Sequence, residues 1–302
     1  MALLAALVTV LLWASAFVGI RAAGEDLSPG ALSLGRLAIG SVLLGALAVS
    51  RGGRWPGRGE LPLLLTCGVL WFGLYNPVLN EAEQRVDAGT AAMLVNVGPV
   101  LIALLAGFLL GEGFPRTLIV GCAIAFTGAI VIGFATTEQG VAAGWGSVLC
   151  VVAAALYAGG VIAQKPLLSR ASALHITWLA CLIGMVVCLP FAPQLADELG
   201  TADSSSIAWM VYLGAFPTAV AFTTWAYALS RTTAGRMGAT TYLVPPLAIL
   251  LGWAMLGETP ELLALLGGAL CLAGVVIARH PTLPSRRRET SMQPATIRSQ
   301  GG

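Results

Sequence analysis

The second half of this 302-residue chain repeats the first, 146 residues on and without a gap through its clearest stretch. Ala88-Gly89, Pro99, Leu101, Leu104-Leu105, Leu110-Gly111-Glu112, Gly121, Ala123 and Gly128 recur as Ala234-Gly235, Pro245, Leu247, Leu250-Leu251, Leu256-Gly257-Glu258, Gly267, Ala269 and Gly274. An internal duplication constrains the architecture before any single residue is read. Each copy holds five apolar runs, an odd number, so the second copy must cross a membrane in the opposite sense to the first. Such an arrangement marks secondary transporters.

The composition requires a lipid solvent: 57% of the residues are apolar, 10% are charged, and the mean hydropathy is +0.87, which excludes a soluble domain of this length. The runs fall at 2–20, 29–49, 61–80, 88–110 and 116–135, then at 144–165, 173–191, 207–229, 236–256 and 261–279. Each is close to the ~20 residues a helix needs to cross ~30 Å of hydrocarbon. The predicted fold is an all-α integral membrane protein of ten transmembrane helices in two inverted five-helix repeats, residues 1–136 and 143–280. Residues 281–302, rich in Pro, Ser, Thr, Gln and Arg, read as a disordered cytoplasmic tail. Ser28-Pro29 and Thr259-Pro260 read as N-caps followed by proline at the first helical position. Met1 leads directly into apolar sequence with no basic flank, so the first span is expected to be retained despite the Ala14-Ser15-Ala16 cleavage-like motif.

The net charge of +2 argues for no nucleic-acid partner, whereas its distribution orients the chain. With both termini in the cytoplasm, Arg51, Arg54, Arg58, Arg116, Lys165, Arg170, Arg231, Arg236, Arg279 and the tail arginines lie inside, and only Arg21 and Arg85 lie outside. The positive-inside rule therefore gives an N-in, C-in topology. Loops are too short for a soluble catalytic or nucleotide-binding domain, no phosphate-binding loop occurs, and no ATPase subunit is evident. The six cysteines sit in apolar runs without metal-ligand spacing, and two histidines cannot form a metal cluster, so no metal or other cofactor is expected. His175 reads as an interfacial residue.

Inside the membrane, Arg36 is the one clear charge, roughly 12 Å below the outer end of span two. Its fork suits a substrate carboxylate or phosphate; the alternative is snorkelling to the headgroups or pairing with an amide or carbonyl. Trp13, Ser15, Tyr75, Asn76, Asn96, Tyr157, Trp225 and Tyr242 are candidate substrate contacts. Together they would suit a small organic solute with an apolar body and a polar head. For any single aromatic, the competing reading is an interfacial belt or helix packing. Pro99 and Pro245 fall near mid-span at equivalent positions, as hinges or as static kinks. Glu112 and Glu258 read as caps of the following helices. No carboxylate lies mid-span, so the sequence gives no sign of proton coupling. Gly107-x-x-x-Gly111 and the glycines of spans five and ten signal close helix packing, as a scaffold within a monomer or a homodimer seam.

Trp13-Ala14-Ser15-Ala16-Phe17, Arg36-Leu37, Ala88-Gly89, Leu110-Gly111-Glu112 and their second-half counterparts resemble the EamA-type transporters of the drug/metabolite transporter superfamily, over nearly all of residues 1–279. The resemblance implies inverted five-helix bundles around a cavity lined mainly by spans one, three, four, six, eight and nine, and often export of amino acids or other metabolites. The second half has no arginine matching Arg36, and Tyr157-Ala158-Gly159-Gly160 stands where Trp13-Ala14-Ser15-Ala16 does, which fits a single asymmetric site. The expected function is a plasma-membrane exporter of small metabolites, above all amino acids with apolar or aromatic side chains, working by alternating access without ATP. The alternatives are a permease for drugs, lipophilic cations, sugars or nucleotide derivatives, and, more remotely, an integral-membrane enzyme or a sensor.

Overall fold

The structure, a computed structural model, describes residues 1–111, 113–114, 116–138 and 141–279. Glu112 and the tail at 281–302 lie outside the described residues. Among the described residues the chain is helical and contains no strand. Its helices are α1 (Ala2–Ala23), α2 (Pro29–Arg51), α3 (Arg58–Glu83), α4 (Ala88–Leu109), α5 (Arg116–Glu138), α6 (Val141–Leu167), α7 (Ala173–Leu199), α8 (Ser204–Leu229), α9 (234–256) and α10 (Leu262–Arg279). Seven of them, α1 to α4 and α6 to α8, are long and apolar enough to cross a membrane; α5, α9 and α10 contain shorter apolar stretches.

The glycines show which helices touch and in which sense. Gly30 and Gly45 of α2 lie against Phe191 and Trp178 of α7, so these helices run antiparallel. By the same test α3 is antiparallel to α6 through Trp71–Gly160 and Arg85–Gly146, and α1 to α8 through Thr9–Thr224 and Ser15–Tyr212. α4 opposes α9 through Gly89–Ile249 and Pro99–Gly238. Two pairs are parallel, α3 with α7 (Gly68–Ile183, Gly73–Val187) and α2 with α8 (Gly35–Met210, Gly40–Thr218). Helices of the first half thus pack mainly on helices of the second.

α5 and α10 meet at backbone distance. A Cβ at Gly128 would stand 2.5 Å from the Gly267 carbonyl oxygen, and one at Gly274 would stand 2.5 Å from the Gly121 carbonyl oxygen. Lipid tails are as apolar as leucine, so close approach at small residues, rather than escape from water, holds such a pair together. Leu3, Leu11, Val42, Phe108, Trp253 and Leu262 are exposed on the outside of the bundle, where soluble proteins place polar groups.

Two local irregularities recur at the 146-residue offset. α3 widens to π-helical geometry over Gly68–Leu74, and α8 does so over Gly214–Val220, where Pro217 also removes a backbone donor. α4 breaks at Asn96 and Val97, so Pro99 lies in the first turn of the segment Gly98–Leu109. α9 passes through a 3-10 turn, Ala239–Leu243, before Val244–Leu256, which begins with Val244-Pro245. Both prolines therefore start a new helical segment, where a missing N–H costs nothing, instead of kinking a continuous helix.

Several expected caps differ. Pro29 does open α2, but the Ser28 hydroxyl makes no cap; the Ser28 N–H instead donates to Glu198 Oε2 at 2.8 Å. α10 begins at Leu262, after Pro260, with Leu265 N donating to the Glu261 carbonyl. Asp87 caps α4, accepting from Thr90 N at 2.8 Å, and Ser172 caps α7. His175 is fully buried rather than interfacial, with Nδ1 2.6 Å from Ser172 Oγ and its ring against Trp55. Cys67, Cys150, Cys181, Cys188 and Cys271 are buried and free.

Candidate functional site

A cavity of about 60 Å³ lies between the halves. Its walls are Trp13, Ala16, Phe17 and Ile20 of α1, Arg36 of α2, Trp71, Tyr75 and Leu79 of α3, Ala92, Val95, Asn96 and Pro99 of α4, Tyr157 of α6, Phe222 of α8, and Thr241 and Val244 of α9. Ligand pockets usually hold ~300–1,000 Å³, so this is a constricted conformation that must widen to take a solute.

Five of the candidate contacts, Trp13, Arg36, Tyr75, Asn96 and Tyr157, meet here, beside Pro99. The Trp13 ring sits among Trp71, Tyr157, Phe222 and Trp225, with centroids 6.1, 6.3, 5.3 and 4.9 Å away. Most of these rings meet edge to face, the arrangement that their quadrupoles favour. Asn96 reaches the cavity because α4 breaks at that residue, and its Nδ2 is buried with no acceptor among the described residues. The Tyr157 hydroxyl is likewise buried, beside Thr241 of α9.

Arg36 is 4% exposed and does not snorkel. Gly214 lets the π-helical segment of α8 ride on the backbone of α2, since a Cβ there would stand 2.8 Å from the Arg36 carbonyl oxygen. That approach brings Thr218 Oγ1 to 3.2 Å, where it accepts from Arg36 Nε. Among the described residues no carboxylate lies within ion-pairing distance of Arg36. A buried guanidinium with one neutral acceptor can take an anion bidentately at little further desolvation cost.

Four candidates do not line the cavity, each for a local reason. Ser15 faces away from Trp13 on α1 and bonds Tyr212 Oη at 2.6 Å, while positions 13, 16, 17 and 20 form the cavity face. Asn76 Nδ2 donates to the Phe72 carbonyl at 2.7 Å, satisfying backbone beside the π-helical segment and Pro77. Trp225 is fully buried behind Trp13. Tyr242 packs with Val100 and Ala125, and its neighbour Thr241 takes the wall position. Pro245 also lies outside the lining, although Val244 belongs to it. Phe17, Ile20 and Thr241 escape a reading of the sequence by residue chemistry; for the first two, the helical spacing from Trp13 is the available signal.

A second pocket of about 400 Å³ opens at the Arg21 end, lined by Ile20, Arg21, Gly24, Glu25, Glu83, Gln84, Leu256 and Glu258. Ile20 belongs to both pockets and divides them. Arg21 donates from Nε and Nη2 to Glu258 Oε1, at 2.8 and 2.7 Å, and from Nη1 to the Glu83 carbonyl at 2.8 Å. Glu258 Oε2 accepts the Ala88 N–H at 3.2 Å, so this residue caps α4 rather than the helix after it in the chain. Glu83, which falls between the expected spans 61–80 and 88–110, is 1% exposed, and neither carboxylate oxygen has a hydrogen-bond partner among the described residues.

A lipid-facing helical bundle whose halves enclose a small cavity between two ends defines a multi-pass membrane transporter. The chain belongs to the EamA-like transporter family, which it matches over residues 1–134 and again over 144–279. It is 40% identical over 289 residues to a probable terminal-alkyne amino-acid exporter of Streptantibioticus cattleyicolor, covering 95% of this chain and 96% of the relative. It is 33% identical to an uncharacterized transporter of Bacillus subtilis, YdfC, covering 87% and 86%. A probable amino-acid metabolite efflux pump of Salmonella typhimurium is 25% identical, covering 90% and 92%. A crystal structure with 20% sequence identity superposes with a TM-score of 0.65 over 92% of this chain and 96% of that one, a likeness of fold.

Proposed function

We propose that the chain is a plasma-membrane exporter of amino acids with apolar or aromatic side chains, working by alternating access without ATP. The observation that carries this reading is Arg36, a buried guanidinium with no ion-pair partner among the described residues, in a cavity walled mainly by aromatic and aliphatic side chains. It supplies the site for a solute carboxylate, while Trp13, Trp71, Tyr75, Tyr157 and Phe222 offer faces to an apolar side chain. The same charge disfavours lipophilic cations. The Streptantibioticus relative, a probable terminal-alkyne amino-acid exporter, and the Salmonella relative, a probable amino-acid metabolite efflux pump, support export of amino acids or their metabolites.

Ten crossings with both termini on one side are supported by the helix senses: contacting helices of like parity in chain order, such as α2 and α8, run parallel, and those of unlike parity antiparallel; the arginine distribution favours the cytoplasm for that side. The exchanged contacts Gly128–Gly267 and Gly274–Gly121 fit two inverted units, as do the two family matches. Because the α5 and α10 glycine faces are used within the chain, the transport unit is read as a monomer in the bilayer. The Arg21 end then faces outward and the breaks before Pro99 and Pro245 serve as hinges.

The test is counterflow of labelled neutral and aromatic amino acids into liposomes preloaded with the unlabelled mixture. Saturable exchange that is lost in Arg36→Ala is the expected result. Exchange of equal affinity and rate in the variant removes Arg36 from the site, and no exchange by folded wild-type protein removes amino acids as solutes.

A further inference from the structure

Glu83 is the buried charge that the transport reading leaves without a task. It ends α3, on the face that carries Tyr75 and Leu79 at four-residue steps into the central cavity, and it lines the outer pocket beyond Ile20. The carboxyl thus stands at the divider between solute cavity and outer solvent. Both of its oxygens are buried and without a hydrogen-bond donor among the described residues.

The neighbours explain why. Arg21 of α1 spends its nitrogens on Glu258 and on the backbone carbonyl of Glu83, leaving the carboxyl itself unpaired. The other charged or titratable groups that face it are Arg36 of α2, Tyr75 on its own helix, Asp87 ahead of α4, Cys150 of α6 and Glu258 after α9, with Glu25 on the pocket rim. An ionised carboxylate with no donor, next to two further carboxylates, would lose its hydration without compensation. A neutral acid in this conformation removes that conflict.

We propose that Glu83 is the subsite for the ammonium group of the solute and that it carries a proton when no solute is bound. This rests on the amino-acid reading of the cavity, in which Arg36 takes the carboxylate at the other pole of the same molecule. When the cavity widens, the proton leaves Glu83 Oε for solvent and the ammonium group takes its place as the counter-ion; the zwitterion brings no net charge, so the net charge of the site falls by the one proton released. Proton and solute then compete for one carboxylate. Outward passage of a zwitterion with inward return of a proton results from that competition, and the coupling ion of the exporter is a proton.

The experiment is calorimetric titration of purified full-length protein with leucine, in two buffers of different ionisation enthalpy, so that protons released on binding are counted. Wild-type protein is expected to release up to one proton per leucine and to bind more weakly as the pH falls. 4-Methylpentanoate, which lacks the amine, is expected to bind without proton release. Glu83→Gln should weaken leucine binding by about tenfold or more, abolish the proton release and leave 4-methylpentanoate binding unchanged. Leucine binding without proton release in wild type, or proton release that persists in Glu83→Gln, overturns the proposal. Should Glu83→Gln fail to fold, Glu83→Asp keeps a carboxylate and must still release a proton; a folded Asp variant that binds leucine without release is equally fatal. If folded wild type binds no leucine and Arg36→Ala changes nothing, the amino-acid reading itself has failed and this site falls with it.

Discussion

Arg21, near the end of α1, and Glu258, just after α9, meet at 2.7 Å across the two halves of the chain, and the second oxygen of the same carboxylate holds the first N–H of α4. One residue of the second half thereby ties together two helices of the first at the mouth of the second pocket. The pair is a third to a fifth exposed, so its worth is that of a partly solvated ion pair.

Breaking this latch is expected to favour the outward-open form. Arg21→Ala or Glu258→Ala should raise the reactivity of a cysteine placed at Ala92, on the cavity wall, toward an impermeant thiol reagent by about 2- to 5-fold. The charge-reversed double variant Arg21→Glu with Glu258→Arg should return reactivity toward the original level. Unchanged labelling in both single variants would show that the contact does not hold the closed state.

Thr218 accepts from Arg36 at the cavity wall, and if Arg36 holds the solute as proposed, the loss of this hydroxyl should be mild. Thr218→Val removes one neutral acceptor at 3.2 Å, so half-saturation in counterflow is expected to move by about 2- to 10-fold. Arg36→Lys keeps the charge but loses the fork and should fall between wild type and Arg36→Ala.

The α5–α10 seam predicts a stability contrast. Gly274→Ala would place a Cβ 2.4 Å from Ala125 N, against backbone that cannot step aside, and should cost about 1–3 kcal/mol. Gly252→Ala meets nothing closer than 3.8 Å and should be neutral or slightly stabilising. Thermal unfolding of the two variants in the same detergent decides this; equal melting temperatures would count against a seam held by backbone proximity.

Trp225 and Tyr157 separate packing from function. Trp225 is fully buried behind the cavity, and Trp225→Ala should lose about 3–5 kcal/mol of stability. Tyr157→Phe removes only a hydroxyl beside Thr241 on the cavity wall and keeps the ring, so the protein should stay folded while its affinity for solute changes in counterflow. A Tyr157→Phe variant that unfolds would assign that hydroxyl a structural part.

Much of the fold was legible because lipid enforces a simple rule: apolar runs of membrane length become helices. Trp13, Arg36, Tyr75, Asn96 and Tyr157 could be chosen as polar or amphipathic residues within such runs, and the cavity contains them. Ser15, Asn76, Trp225 and Tyr242 have the same chemistry and lie elsewhere. Residue type does not say which way a helix is rotated, nor that a π-helical segment at Gly68–Leu74 turns the later residues of α3 to a different face.

By itself the sequence determined a duplicated, helical, membrane-embedded chain with one deeply placed arginine, since hydrophobic length and repeat offset are properties of the chain read in order. Only the tertiary structure decided that Arg36 bonds Thr218 and has no ion-pair partner among the described residues, that Glu258 latches Arg21, and that Glu83 is buried at the second pocket. Those relationships join residues 62 to 237 positions apart in the chain. They arise from glycine-mediated approach of helices from opposite halves, a distance that no local pattern encodes.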